Sequence, residues 1–316
     1  MESLALLLDQ GYKRHVTPHG HPERQARYDA VSAALDEASI PDRALRIEPR
    51  AATVDELTLV HELDYVRLVE REITAGARHL STGDTHVSSE SYQVALDAVG
   101  GVLNAIDAVM QGQAHRAFCA VRPPGHHARP AQGMGFCIFN NIAIAARHAQ
   151  RAHGAERVLI ADWDVHHGNG TQDTFYDDGS VFFMSTHQSP WYPGTGPESE
   201  TGQGAGKGTT LNCPLPAGSG RNEILGAFRD QLLPLARDFS PDLVLVSAGF
   251  DSRAGDPLGD FRLDDDDFRE LTDLMLEIAD TTAEGRLVSV LEGGYSLDGL
   301  AKASAAHATR LVEQPA

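Results

Sequence analysis

The sequence predicts an α/β fold, a doubly wound and mostly parallel β-sheet flanked by helices, and three observations carry that prediction. Apolar runs alternate along the chain with segments of helical periodicity. Several of these runs are near-continuous in Val, Leu and Ile, as in strands buried on both faces of a parallel sheet. Four of them end in turns crowded with titratable residues, and the carboxyl ends of strands are where open α/β sheets bind ligands. Neither an internal repeat nor a low-complexity linker interrupts the 316 residues, so one domain over 1–316 is expected.

The N-terminal stretch MESLALLLDQGY has a short apolar run but neither a basic leader nor a small-residue cleavage site. It reads as a first strand over 4–8. Further strands are expected over 117–121, 158–161, 181–185, 243–247 and 287–291. Between them, 90–110 places Val94, Ala98, Val102, Ile106 and Val109 close to helical spacing. Helices over 140–152, 222–239 and 263–283 follow the same logic. The four acids Asp264 to Asp267 are read as the first turn of a helix, where the dipole favours negative charge, in preference to a cation site.

A hydrophobic content of 41% with a mean hydropathy of −0.27 fits a soluble chain with a sizeable core. No apolar run approaches the roughly 18 residues of a spanning helix, so no membrane partner is expected. The net charge of −19 opposes binding to nucleic acid or anionic lipid and would draw cationic substrates. Cys119, Cys137 and Cys213 are too scattered for a disulfide framework or a Cys-type zinc site, which points to the cytoplasm.

The strand ends hold the chemistry. After 117–121 comes RPPGHH, with His126 and His127. After 158–161 come Asp162, Asp164 and His166, alternating with Trp163 and Val165. An extended backbone would project all three toward one face. After 243–247 comes AGFD, ending at Asp251, and after 287–291 comes EGGY, ending at Tyr295. Asp164, His166 and Asp251 would supply one nitrogen and two carboxylate ligands, leaving open positions as a catalytic metal requires. Zinc is the default; iron(II), cobalt and manganese suit the same donors. A solvated loop is the plainer reading of Asp-x-His alone, and Asp251 behind a second buried strand argues against it.

The histidine pair, held by Pro123, Pro124 and Gly125, suits a general base that returns its proton to a leaving amine. A second metal site or surface histidines are the other readings. Asp162 and Asn169 are the nearest groups to tune the imidazoles. Gly293 and Gly294 would let the backbone turn and aim the Tyr295 hydroxyl at a developing oxyanion, rather than into a core.

With these residues in hand, the chain resembles the histone deacetylases, specifically the class II branch and its bacterial amidohydrolase relatives. The resemblance runs from about residue 18 to about residue 300, over HGHPERQAR, RPPGHH, GFCIFNN, DWDVHHGNGTQ, SAGFDSRAGDPLG and LEGGY. It implies the arginase-like α/β fold and zinc-dependent hydrolysis of N-acyl amides to a short acid and a free amine. It implies Asp164, His166 and Asp251 as metal ligands, His127 as general base and acid, His126 as its electrostatic partner, and Asp162 as the carboxylate paired with His126. Asn169 stands where class I enzymes carry Asp, so His127 should be less strongly held charged. Tyr295 matches the tyrosine that binds the acyl oxygen. Gly135, Phe136 and Tyr192 match the walls of an acyl-lysine channel, although Phe is commoner than Tyr at 192. A structural potassium is implied at Asp162, Asp164, His166 and Ser185, partly through backbone oxygens. Asp84 matches, more loosely, a rim carboxylate that holds substrate backbone.

In the loop Gly255-Asp256-Pro257-Leu258-Gly259, a polyamine-selective relative would carry Glu where this chain has Leu258. Leucine cannot pair with a second ammonium, so an acyl-lysine protein or peptide is the expected substrate, ahead of a small cationic amide. Acetylpolyamine hydrolysis is the alternative. An arginase-type ureohydrolase would need a second metal's worth of ligands, and a non-catalytic acyl-binding protein would not need His126, His127 and Tyr295 together. The loop over 188–208, with Trp191 and Tyr192, and the HGHPERQAR stretch, before a helix starting near Pro22, are expected at the rim. The oligomeric state stays open, a homo-oligomer included.

Overall fold

The computed structural model describes residues 2–313. Its strands are β1 (Glu2–Leu7), β2 (Leu45–Ile47), β3 (Ala114–Cys119), β4 (Val158–Asp162), β5 (Val181–Gln188), β6 (Thr210–Leu215), β7 (Leu243–Ala248) and β8 (Leu287–Leu291). They form one eight-stranded sheet in the order β2-β1-β3-β8-β7-β4-β5-β6, and every pairing is parallel. The expected sheet was mostly parallel; the observed one is wholly so.

Strand alternation builds two cores. Along β4, Val158 and Ile160 face one apolar cluster while Leu159 and Ala161 face the other. Helices Leu63–Thr74, Ser91–Met110 and Asn141–His153 cover the first face. Helices Gln25–Glu37, Asp265–Thr282 and Leu297–Val312, with the segment Arg221–Phe239, cover the second. The doubly wound architecture follows from this two-sided burial.

Element ends have local causes. Asn140 caps the helix Asn141–His153 by accepting the Ala143 N–H at 3.0 Å, and Gly154 ends it in the left-handed region. Asp264 and Asp267 form a capping box at the start of Asp265–Thr282, so the run of acids serves a helix terminus.

Several expectations need correction. The segment over 222–239 is not one regular helix: a π-helical stretch, Ala227–Leu232, joins Arg221–Gly226 to Leu233–Phe239. Pro234, one residue beyond that stretch, cannot donate to the ladder, which favours such a shift in register. The α-helix expected near Pro22 begins at Gln25. Ser91–Met110 is long and apolar enough to cross a membrane by length and composition, contrary to the reading of the runs; it is buried along most of its length here.

One placement matters most. The strands whose ends drew attention, β3, β8, β7 and β4, are the four middle neighbours of the sheet. Because all are parallel, their carboxyl ends open at one edge.

Candidate active site

Beyond Asp162 the backbone leaves the strand and runs through bends, so the extended conformation does not persist. The alternation survives all the same. Trp163 and Val165 are wholly buried in the second core, and Asp164 and His166 take the other side. Asp251, after β7, joins them. His166 Nδ1 lies 2.9 Å from Asp164 Oδ1 and 3.3 Å from Asp251 Oδ2. One ligand atom from each of the three residues lies within 4.8 Å of the others.

The cluster carries more negative charge than its protein neighbours answer. Asp162, Asp164, Asp251 and Glu292 are fully shielded from solvent. Burial, aided by Asp164, pushes Asp251 up to about 7, and burial pushes Asp162 up to about 6 against the pull of His126. Asp251 Oδ2 is buried and accepts no hydrogen bond. A Cβ on Gly293 would stand 2.0 Å from that same oxygen and 2.5 Å from Asp164 Oδ2, so only glycine leaves the two carboxylates their shared space. An orphan carboxylate oxygen, a second carboxylate and an imidazole on one point fit a divalent cation.

The histidine pair sits above this cluster. His126 Nδ1 donates to Asp162 Oδ2 at 2.9 Å, and its Nε2 lies 3.8 Å from Asp164. Burial favours the neutral ring, yet Asp162, Asp164 and Glu292 outweigh it and raise the pKa of His126 well above the usual value. His127 Nδ1 donates to Asn169 Oδ1 at 2.8 Å, which leaves Nε2 with its lone pair. Burial, then the neighbouring His126 and His166, hold His127 well below its usual value. A neutral base thus stands beside a charged ring, with ring centroids 4.0 Å apart.

Tyr295 closes the opposite side. Burial raises its phenol well above 10 despite the Arg27 guanidinium 5.0 Å from the ring, so the hydroxyl keeps its proton. Phe136 meets Tyr295 edge-on at 5.9 Å, and Tyr192 meets His127 at 5.2 Å and His166 at 6.1 Å. Phe136 and Tyr192 are thereby placed over the two sides of the cluster. Gly135 adopts φ +57 with its Cβ position 2.3 Å from the His127 ring, a contact no side chain would permit. Asp84, exposed at the mouth, spends Oδ1 on the Gly135 N–H at 2.7 Å. Ser185 pairs with Asp162 across β4 and β5, which puts it beside the acids but away from Tyr295.

The loop over 188–208 is held in place. Trp191 Nε1 donates to the Leu258 carbonyl at 2.8 Å, His187 Nε2 to the Gly196 carbonyl at 2.9 Å, and His167 Nδ1 meets Thr195 Oγ1 at 2.8 Å. The HGHPERQAR stretch departs from expectation. His21 packs on Phe136 at 4.7 Å, but Glu23 and Arg27 are fully buried. Glu23 grips Arg122 through two bonds, at 2.5 and 2.7 Å, and Arg27 binds the carbonyls of Gly294 and Glu292. They brace the turns from below and do not form rim.

Two residues near the site had no assigned part. Glu292 Oε2 accepts the N–H groups of Gly125 at 2.7 Å and His126 at 3.1 Å, fixing the turn under the histidines. Asp256 accepts from Tyr295 and Ser296. A lone acid beside glycine, directly after an apolar strand, was the only sign of Glu292.

Comparison with known proteins agrees with this geometry. The histone deacetylase domain family matches residues 21–311. The chain is 40% identical over 301 residues to "Histone deacetylase 10, chloroplastic" of Oryza sativa subsp. japonica, covering 90% of this chain and 68% of that protein. It is 39% identical over 310 residues to the "Polyamine deacetylase HDAC10" of Homo sapiens, covering 95% of this chain and 46% of that one. The crystal structure of the HDA15 HD domain superposes with a TM-score of 0.94 at 36% identity, covering 99% of this chain and 90% of that one.

Proposed function

This chain belongs to the histone deacetylase family and is an amide hydrolase that deacetylates acetylated amines, and we propose that its amines are lysine side chains of proteins or peptides. The observation that carries the chemistry is the convergence of Asp164, His166 and Asp251 between a histidine with a free lone pair and a protonated tyrosine. Zinc is the proposed ion at those three residues. When bound it supplies Lewis-acid polarisation of the acyl carbonyl and a lowered pKa for water. A potassium ion is proposed nearby, on oxygens of Asp162, Asp164, His166 and Ser185; the β4–β5 register that sets Ser185 beside Asp162 supports it.

The residues divide the work as follows. His127 Nε2 takes a proton from the attacking water and hands it to the leaving amine. Asn169 keeps Nδ1 of that ring protonated, so the lone pair points the right way. His126, charged against Asp162, makes proton uptake by His127 costly to hold and therefore easy to reverse. The Tyr295 hydroxyl donates to the oxygen that gains negative charge. Phe136 and Tyr192 enclose the extended methylene chain of an acyl-lysine, and Asp84, anchored on the Gly135 N–H, is the group for substrate backbone.

Lysine is favoured over a polyamine by Leu258. Its backbone is pinned by the Trp191 indole and by Asp256 Oδ1, and its side chain offers no charge to a second ammonium. The test measures acetate release by the zinc-loaded protein from an acetyl-lysine peptide and from acetylputrescine, with Tyr295→Phe as control. The peptide should be preferred, and the variant should turn over about 10²–10³-fold more slowly. Preference for acetylputrescine would overturn the lysine assignment, and a fully active variant would remove Tyr295 from the chemistry.

A further inference from the structure

We infer a second divalent-cation site, remote from catalysis, formed by Asp107, His148 and His153. Asp107 lies in the last turn of Ser91–Met110, and both histidines belong to Asn141–His153. Each imidazole brings Nε2 to 2.7 Å from the same oxygen, Asp107 Oδ1. The ring centroids are 5.8 Å apart at 73°, and one ligand atom from each residue falls within 4.8 Å of the others. Two imidazoles and a carboxylate are the donor set of a three-ligand zinc site with a fourth position for water. Cobalt, nickel and iron(II) accept the same donors.

Three features go beyond a chance meeting of polar groups. Residues five apart on a helix are separated by about 140° around its axis, so His148 and His153 do not share a face by default. They converge because both rings turn toward Asp107. The side chains of His148 and His153 are only 13% and 15% exposed, so packing already fixes them and binding would cost little rotamer freedom. Asp107, 32% exposed, keeps the point open to an ion and its water. Finally, both helices present their carboxyl-terminal ends here, where the dipole is negative and favours a cation.

The ion would replace the two protons that now bridge each ring to the carboxylate, and join two helices of the first core. It would take no part in hydrolysis. The helix Asn141–His153 spans about 20 Å, and its other end, at Asn140, is the one tied to the Ala128 carbonyl beside His127. The cation is a clip at the far end of that rod.

The experiment uses tag-free, metal-stripped protein titrated with Zn²⁺ and with Co²⁺, read by calorimetry, by the visible cobalt spectrum and by the melting midpoint. Wild type should bind two equivalents at micromolar concentration, and His148→Gln/His153→Gln should bind one with unchanged turnover. Asp107→Asn should likewise lose one. The Asp251→Ala variant should keep one equivalent, and that equivalent should vanish when the two histidine changes are added. Equal stoichiometry in wild type and the double variant would overturn the site, as would an Asp251→Ala protein that binds no ion at micromolar concentration. Because the last comparison is made without the catalytic ligand, failure of the proposed function would leave its outcome untouched.

Discussion

Asp256 Oδ2 accepts the backbone N–H of Tyr295 at 2.7 Å and, with the same atom, that of Ser296 at 2.9 Å. Its other oxygen takes the Leu258 N–H at 3.0 Å. One buried carboxylate therefore positions both the proposed oxyanion donor and the residue proposed to read the substrate amine. Asp256→Ala should lower kcat about 10²-fold by displacing the phenol. KM for the peptide should change less, and zinc content should be unchanged. Steady-state kinetics with metal analysis checks this; an unaltered kcat would show that the turn holds Tyr295 without Asp256.

Removing the catalytic metal should lower the melting midpoint. Without an ion, Asp251 Oδ2 stays buried without a hydrogen bond next to Asp164. A ligand that binds only the folded state stabilises it by mass action. Asp251→Ala in the His148→Gln/His153→Gln background should retain neither metal nor activity. A full equivalent of zinc in that protein would mean that the ligand set is wrong.

His61 gives a pH dependence that can be isolated. Its Nδ1 donates to the Arg129 carbonyl at 3.1 Å and its Nε2 accepts the Asn140 N–H at 2.9 Å, so the neutral ring is the one that fits. Burial pushes its pKa down to about 4. In the unfolded chain the ring titrates near 6.5. Its contribution is thus complete above pH 6.5 and falls as pH drops toward 4, by about 1.4 kcal/mol per unit. The difference in unfolding free energy between wild type and His61→Gln should shrink over that window in denaturant titrations. A difference independent of pH would show that the buried ring is already charged.

Leu258→Glu places a carboxylate on a backbone held by Trp191 and Asp256. The ratio of kcat/KM for acetylputrescine to that for the peptide should rise by at least about 10-fold. No change in that ratio would mean that residue 258 does not face the distal amine.

Much of the arrangement was legible because burial on both faces leaves continuous apolar runs. Strands β4, β5, β7 and β8 stand out for that reason, and the acids after them stand out by contrast. The edge strands did not. Strand β2 is three residues long and partly exposed, and β6 contains Asn212 and Pro214, so neither shows the run. The candidate metal-ligand triplet was readable from spacing, since Asp164 and His166 follow β4 two residues apart and Asp251 follows β7. The supports were not: Arg27, Asp256 and Glu292 act through backbone groups far away in sequence, Glu23 through the distant Arg122 side chain, and a hydrogen bond between Arg27 and Gly294 leaves no local pattern. Asp107, His148 and His153 escaped for the same reason, their meeting being a product of helix packing alone.

The position of β8 has a consequence for biosynthesis. Of the eight strands described this one is synthesised last, yet it lies between β3 and β7. Until Leu287–Leu291 has emerged, β1, β2 and β3 can pair among themselves, as can β4 to β7, but no strand pairing joins the groups. The His126–His127 turn belongs to the first group, and Asp164, His166 and Asp251 to the second. A nascent chain therefore carries two open strand edges, the kind that invite aggregation, and two inert halves of a catalyst. The sheet that unites them is complete only with β8 between β3 and β7.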